Sequence, residues 1–503
     1  MVQHDEHSPG PHAVCELNDR PDGSPALAPL RRPSRCPSSI GPLPTELLME
    51  IFRLVFNRLR QPNQLDFFFP RRRRKKSKPP PTPWLNVNFP SDTLFPYALA
   101  SVCTGWCAML ATKPEYWTQI AISVDDQPTP LVKIQSYLEW SRELPLDILV
   151  ARRRNRYPER DPGEHARVAA VMEIISPHLH RCTRLRFDLL HNSSLLTKTF
   201  RGAYPHLKSL RLTSRTGACD SGDIVDNEVD WEPGWNFSCP NLTNLEISGT
   251  IFGDAVRCSW LQELPNLESL SLSQFGTAEN RGMRPSAREI LAAIPRSISA
   301  LTLEHVELHD TVVDRHSDHL SNVTTLALED IDIGTLASFF LAINDHYFES
   351  VSITRSLIPP RTHINCYALI LTNIPPDQDL RWLLKGWRGS SLHFRSCPFF
   401  NDELIAGMGG ASRRSPILAS QVRELEIQDC KNFTADALVR MIQNRRDLAY
   451  ETNPWEYDEP IEEMDFYYVR PLEGLCLLGV LPPMCRERAR ANALVDTLDS
   501  PSF

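Results

Sequence analysis

The sequence lacks any long hydrophobic run. No stretch approaches the roughly 18 consecutive apolar residues of a membrane span. The opening residues Met1-Val2-Gln3-His4-Asp5-Glu6 carry no apolar signal-peptide segment, so a soluble chain of the cytoplasm or nucleus is expected. Cys-x-x-Cys is missing among 13 cysteines. Cys103 and Cys107 lie four apart with no second pair at zinc-finger spacing, and an odd, scattered count fits reduced thiols rather than disulfides or zinc. Basic excess is also missing. The 54 Lys and Arg against 62 Asp and Glu give a net charge of -8, which argues against sequence-independent nucleic-acid binding by the whole chain.

Signatures of catalysis are equally scarce. Gly407-Met408-Gly409-Gly410 has no Lys-Ser/Thr after it and no strand before it at dinucleotide spacing, so it reads as a flexible loop. His305, His309, His316 and His319, with Glu304, Asp310, Asp314 and Asp318 nearby, make a metal site conceivable. No His-Glu-x-x-His is present, however, and surface histidines are the expectation. Gly-x-Ser-x-Gly does not occur. No catalytic residue, metal or cofactor is therefore assigned, and five Asn-x-Ser/Thr matches read as chance in an unsecreted chain.

Proline is plentiful and unevenly placed: 17 of 42 precede residue 97. Residues 1–39 read as a disordered tail. Leu43-Pro44-Thr45-Glu46-Leu47-Leu48-Met49-Glu50-Ile51-Phe52 then opens a helix over about 43–59, with Leu47, Leu48, Ile51, Leu54 and Val55 on one face. Pro44 suits the first turn, and Glu46 suits the positive end of the dipole. A second helix is expected from Leu99, Val102, Cys103, Trp106 and Leu110, closing at Pro114-Glu115-Tyr116-Trp117. An insertion at about 60–95 separates the two. Its run Arg71-Arg72-Arg73-Arg74-Lys75-Lys76-Ser77-Lys78 reads either as a nuclear signal or acidic-partner patch, or as a charged spacer.

Leu-Pro, an apolar helix, Val-Cys-x-x-Trp and a further Trp, in that order, resemble the F-box that plugs into the Skp adaptor of cullin-type ubiquitin ligases. That resemblance implies Skp contact by Leu43, Pro44, Leu47, Leu48, Ile51, Phe52, Val102, Cys103, Trp106 and Trp117.

Beyond Trp117, strands are expected at Gln119–Val124 and Leu144–Val150, and helices at Leu131–Glu143 and Val171–Arg181. Arg152–Gly163 reads as a solvated basic loop. The succession resembles the large fungal family of F-box proteins. Then Leu-x-x-Leu-x-Leu keeps returning, centred on 185, 210, 245, 270, 301, 326, 351, 369, 392, 425 and 475. The recurring step of 25 falls in the leucine-rich-repeat range of about 20–29 residues. Ala287–Ile294, Leu336–Ile343 and Ala437–Ile442 have helical spacing for an outer layer. Leu392–Cys397 and Leu425–Cys430 resemble the cysteine-containing repeat of F-box proteins, which implies thiols packed beneath turns and an acidic start to the next helix. Two acidic insertions, at 219–239 with Trp231 and Trp235 and at 451–465 with Trp455 and Tyr457, read as solvated loops or as acidic-aromatic lips for a basic partner.

The expected fold class is α/β: a short N-terminal helical F-box followed by a leucine-rich-repeat solenoid, or horseshoe. The expected divisions are a tail (1–39), F-box (40–118), linking strands and helices (119–181), repeat array (182–480) and C-terminal tail (481–503). The function so implied is the non-catalytic substrate-recognition subunit of an Skp–cullin–F-box ubiquitin ligase. Its partners would be Skp, cullin through Skp, and a protein substrate; neither membrane nor nucleic acid is expected. A leucine-rich scaffold unconnected to ubiquitination is the alternative. A nuclear protein binding nucleic acid through Arg71–Lys78 is a third reading.

Overall fold

The computed structural model describes residues 43–60, 95–152, 161–195, 199–216, 236–257, 259–275, 287–308, 322–343, 346–360, 362–376, 378–410, 417–451 and 470–478. The chain divides into two compact units, Met1–Arg53 and Leu54–Phe503. The first holds the start of helix α1 (Thr45–Arg60). The Pro44 carbonyl accepts from the amides of Leu47 (3.0 Å) and Leu48 (3.2 Å), closing the first turn as the Leu-Pro sequence leads one to expect.

In the second unit, the single helix expected around Trp106 is broken into α2 (Tyr97–Ala100) and α3 (Thr104–Ala111). Cys103 is extended between them (φ -163°, ψ 164°), and the Ser101 hydroxyl turns back to the Ala98 carbonyl at 2.8 Å. The break takes Val102 off the presumed stripe and leaves it exposed. A 3-10 turn, Pro114–Trp117, leads directly into the first strand.

The strands and helices that follow are β1 (Gln119–Ser123), α4 (Leu131–Trp140), β2 (Leu146–Ala151), α5 (Glu164–Ile175), β3 (Cys182–His191), β4 (Arg201–Ala203), β5 (Ser209–Thr216), β6 (Asn236–Ser238), β7 (Asn244–Ser248), α6 (Gly249–Arg257), β8 (Ser269–Phe275), α7 (Ala287–Ala293), β9 (Ala300–Val306) and β10 (Thr325–Glu329). Then come α8 (Ile333–Ala342), β11 (Phe348–Thr354), β12 (Cys366–Thr372), α9 (Arg381–Gly386), β13 (Ser391–Arg395), α10 (Asp402–Met408), β14 (Glu424–Gln428), α11 (Ala435–Glu451) and β15 (Gly474–Leu478). All but β4 and β6, which pair with each other, form one 13-stranded sheet in chain order.

Every neighbouring pair in that sheet is parallel, and the β2–β3 pairing shifts register between Leu146 and Asp147. Leu185, Leu210, Leu245, Leu270, Leu301, Leu326, Val351, Leu369, Leu392, Leu425 and Leu475 each face the next across the ladder. Ile120 and Ile148 extend the same line through β1 and β2. All but Leu475 are buried in one continuous apolar core. The Pro-Asn pairs ahead of the strands have a matching structural role. The Asn241 and Asn266 amides donate to the Pro205 and Pro240 carbonyls of the preceding turns, each at 2.7 Å.

The expected partition into a short helical F-box and a leucine-rich-repeat solenoid is overturned. The chain is α/β, but it is built on a single open, all-parallel sheet of 13 strands. The sheet starts at Gln119, so the strands expected within residues 119–181 are its first two members. β1 and β2 lack the leucine motif. Their alternation of Ile120 and Ile122, and of Leu146, Ile148 and Val150, suffices for a half-buried strand. Helices α2 and α3 fall in the same compact unit as the sheet, which begins at Leu54.

Strand ends repeat one backbone device. Gln274, His305, Asp330, Arg355, Asn373, Ser396 and Asp429 all adopt left-handed φ between 50° and 54°. That conformation costs a non-glycine residue about 1–2 kcal/mol. Five of these amides nevertheless stay in the ladder: those of Asp330, Arg355, Asn373, Ser396 and Asp429 donate to the last carbonyl of the next strand at 2.8–3.0 Å.

The open edge at β1 is capped by a side chain. The Tyr97 hydroxyl donates to the Gln119 carbonyl and accepts the Ala121 amide, both at 3.1 Å, in place of a further strand. Burial pushes this phenol well above its usual range. Tyr97→Phe should cost about 1–3 kcal/mol, because a buried carbonyl and amide lose their partner. Denaturant titration and amide exchange at Ala121 check this; unchanged stability and unchanged protection would sink it.

Candidate binding surfaces

Helix α1 carries an exposed apolar stripe. Leu47, Ile51 and Leu54 are spaced i, i+4 and i+7, and they are 52%, 45% and 59% exposed. Leu43 and Pro44 before the helix are exposed too, Leu48 is half-buried, and Phe52 is fully buried. In the second unit, Val102 and Cys103 are exposed and Trp106 is half-buried. Trp117 is wholly enclosed. Its indole N–H donates to the Leu110 carbonyl at 2.9 Å. Its ring stacks on Tyr137 (5.1 Å, 17°) and meets Trp140 at 4.5 Å. Of the ten residues expected to contact an adaptor, Phe52 and Trp117 thus offer no side-chain surface. Trp231, Trp235, Trp455, Tyr457 and the run Arg71–Lys78 lie outside the described residues.

The second surface is the sheet face opposite the core. Between the buried leucines runs a row of half-buried side chains in register: Arg186, Arg211, Glu246, Ser271, Thr302, Ala327, Ser352, Ile370, His393 and Glu426. Charge collects at its two ends, and the middle is small and neutral. Burial raises the Glu246 carboxyl, opposed by Arg211.

On β13 and β14 the row forms a polar grid. The Ser391 hydroxyl lies 2.9 Å from His393 Nε2 and 3.2 Å from Glu424 Oε2. His393 Nδ1 lies 3.2 Å from Glu426 Oε2, near enough for an ion pair but not aligned as a hydrogen bond. Arg395 donates to Glu426 at 2.9 Å. His393 foremost, then Arg395, draws the Glu426 carboxyl down to about 2 despite its burial. A Ser–His–Glu line suggests nucleophilic chemistry, but two observations oppose it. β13 is an interior strand whose amides are committed to the two flanking ladders, so no backbone donor is left there for an oxyanion. Ser391 is itself buried. The grid reads as a polar binding and pairing cluster.

At the strand ends Arg355 clamps Asp330. Its Nε donates to both carboxylate oxygens (2.8 and 2.9 Å), and Nη2 reaches Glu329 at 2.7 Å. His305 Nε2 is 3.4 Å from the same Asp330. His305 is thereby paired with a carboxylate that already serves an arginine. Among the described residues no group of three or more His, Cys, Asp or Glu could hold a metal ion; His309, His316 and His319 lie outside them.

Several expectations change. Gly407–Gly410 is not a flexible loop: Gly407 is helical, and a Cβ on Gly409 would stand 2.9 Å from the Met441 Cα of α11. Cys397 and Cys430 do stack beneath successive turns, the Cys397 amide donating to Cys430 Sγ at 3.4 Å, and burial pushes the Cys397 thiol up to about 11. The cap of α10 is Asn401, which accepts the Leu404 amide at 3.0 Å; Asp402 instead reaches the Thr434 amide at 2.6 Å. Sequence reasoning missed the buried ionic cluster around Glu164 and the buried Arg445. The signal for Arg445 was present, since it continues the apolar face of Leu438, Met441 and Ile442 at i+7, i+4 and i+3.

No protein-family model matches the chain, and no curated protein matches it.

Proposed function

We propose that the chain is the non-catalytic substrate-recognition subunit of an Skp–cullin–F-box ubiquitin ligase. Helix α1 docks the Skp adaptor, and the open sheet face holds the protein substrate. The observation that carries this reading is the stripe of Leu47, Ile51 and Leu54, three large aliphatic side chains left in water on one helix face. Burying each in a partner groove is worth about 1.5–3 kcal/mol, and the i, i+4, i+7 spacing is that of helix-in-groove recognition. The motif order from Leu43 to Trp106 supports the choice of adaptor. Such a subunit performs no covalent chemistry; it raises the local concentration of a substrate lysine near the charged conjugating enzyme. No helix among the described residues is long and apolar enough to cross a membrane, and residence in cytoplasm or nucleus goes with this reading.

The test is capture of a purified Skp-type adaptor by the full chain and by a Leu47→Asp, Ile51→Asp variant. Both substitutions lie on exposed positions, so the fold should survive, as circular dichroism can verify. The parent should bind, and the variant should lose at least about tenfold in affinity. Equal binding by both, or none by the parent, defeats the proposal and leaves the scaffold reading in its place.

A further inference from the structure

Arg186 stands in mid-strand on β3, directly opposite Arg211 on β5 and two residues from Arg184 on the same face. Buried Leu185 and Phe187 alternate with it, so all three guanidinium groups belong to the open face. Arg211 is matched: its Nη2 lies 3.3 Å from Glu246, and its Nε donates to Thr213 at 3.3 Å. Arg184 has Asp147 at 3.8 Å. Arg186 makes no hydrogen bond or ion pair among the described residues. Burial, and then the neighbouring Arg184 and Arg211, push its pKa down, which is the mark of a cation whose charge is poorly compensated.

We propose that Arg186, flanked by Arg184 and Arg211, is the seat of one carboxylate from a protein segment laid across the open sheet face. The bidentate fork of a guanidinium matches a carboxylate edge. Arg186 is the one of the three without a paired carboxylate, because Asp147 and Glu246 pair with the other two arginines. A doubly charged phosphate would be repelled more strongly than a single carboxylate by Glu246, which stands within electrostatic reach of Arg186 and of Asp188. From this anchor, the row through Ser271, Thr302, Ala327 and Ser352 is low and uncharged, which leaves room for an extended chain. Calling that segment a substrate rests on the ligase reading; the carboxylate seat does not.

The test uses the full chain and an array of peptides about a dozen residues long. Each peptide is made with a free or amidated terminus, with Asp and Glu intact or changed to Asn and Gln, and with phosphoserine in place of Asp. Bound peptides should carry a carboxylate whose neutralisation abolishes binding: the side-chain arm identifies an acidic residue, and the terminus arm a chain end. Arg186→Gln should weaken these peptides about tenfold, with Arg186→Lys intermediate because it keeps charge but loses the fork. Glu246→Gln should tighten them, an effect that a merely structural Arg186 would not produce. Binding indifferent to carboxylates, a preference for phosphoserine, no change in Arg186→Gln, or no bound peptide at all overturns the proposal. None of these readouts involves the adaptor, so failure here and failure of adaptor binding are separate results.

Discussion

Arg445→Ala should destabilise the protein by about 3–5 kcal/mol, the range for truncating a large buried side chain to alanine, with orphaned acceptors adding to it. The Arg445 side chain is completely enclosed and has no carboxylate partner among the described residues. Carbonyls surround it instead. Nη1 donates to Met408 (3.1 Å) and Ala419 (3.2 Å), and Nη2 donates to Ser420 (2.9 Å), Val422 (3.0 Å) and Arg470 (2.8 Å). Burial draws its pKa down to about 10, still far enough above neutrality to keep it charged. The five acceptors come from the end of α10, the approach to β14 and the approach to β15, so one side chain on α11 joins three segments. Truncation leaves those carbonyls short of a donor around a new cavity. The side chain is not ideally served, for its Nε–H has no acceptor. Arg445→Lys, with three donors on a compact head, should recover only part of the loss. Denaturant titration of the full chain measures both; a cost below about 1 kcal/mol for Arg445→Ala would show that the carbonyls find other donors.

Glu164→Ala should rank beside it, at about 3–5 kcal/mol. Glu164 opens α5 but serves β3 instead. Its two oxygens accept the amides of Leu190 and His191, each at 2.9 Å, and Arg152 Nη1 approaches to 3.2 Å. Arg152 is itself buried and bonds Asp161, which also bonds Arg167. Burial alone would raise the Asp161 carboxyl, yet hydrogen bonds from these two arginines carry it below the usual range. Removing Glu164 strands two amides and leaves Arg152 with one carboxylate. Glu164→Gln should fall between, since it keeps an acceptor but loses the charge. Strands in sequential order can open locally, so amide exchange at Leu190 and His191 is the sharper readout. Protection unchanged there in Glu164→Ala would contradict the assignment.

These two residues also mark the limit of what the sequence disclosed. The leucine spacing located strands β3 through β15 of the main ladder to the residue, because an apolar row with fixed spacing has one way to be buried. The same logic missed that β1 and β2 belong to the sheet, since their alternation carries no repeat motif. Charged residues inside the core were invisible for a different reason. Arg152 and Glu164 flank or enter a stretch rich in arginine, and such a composition ordinarily means solvent. Only the amides at the end of β3, brought close by the fold, turn Glu164 inward. The break at Cys103 was likewise unreadable, because Val102 and Cys103 fit a helical stripe as well as they fit an extended hinge. The α1 stripe was legible as amphipathic. Which of its apolar residues would stay in water was not, since Phe52 and Ile51 are equally apolar and only the first is buried.

The most direct measurement of the central claim is amide exchange of the full chain with and without a purified Skp-type adaptor. Protection should rise along Thr45–Arg60, around Leu47, Ile51 and Leu54, while β7 through β14 stay as they are. A bound adaptor that leaves α1 exchanging at its free rate would contradict the account.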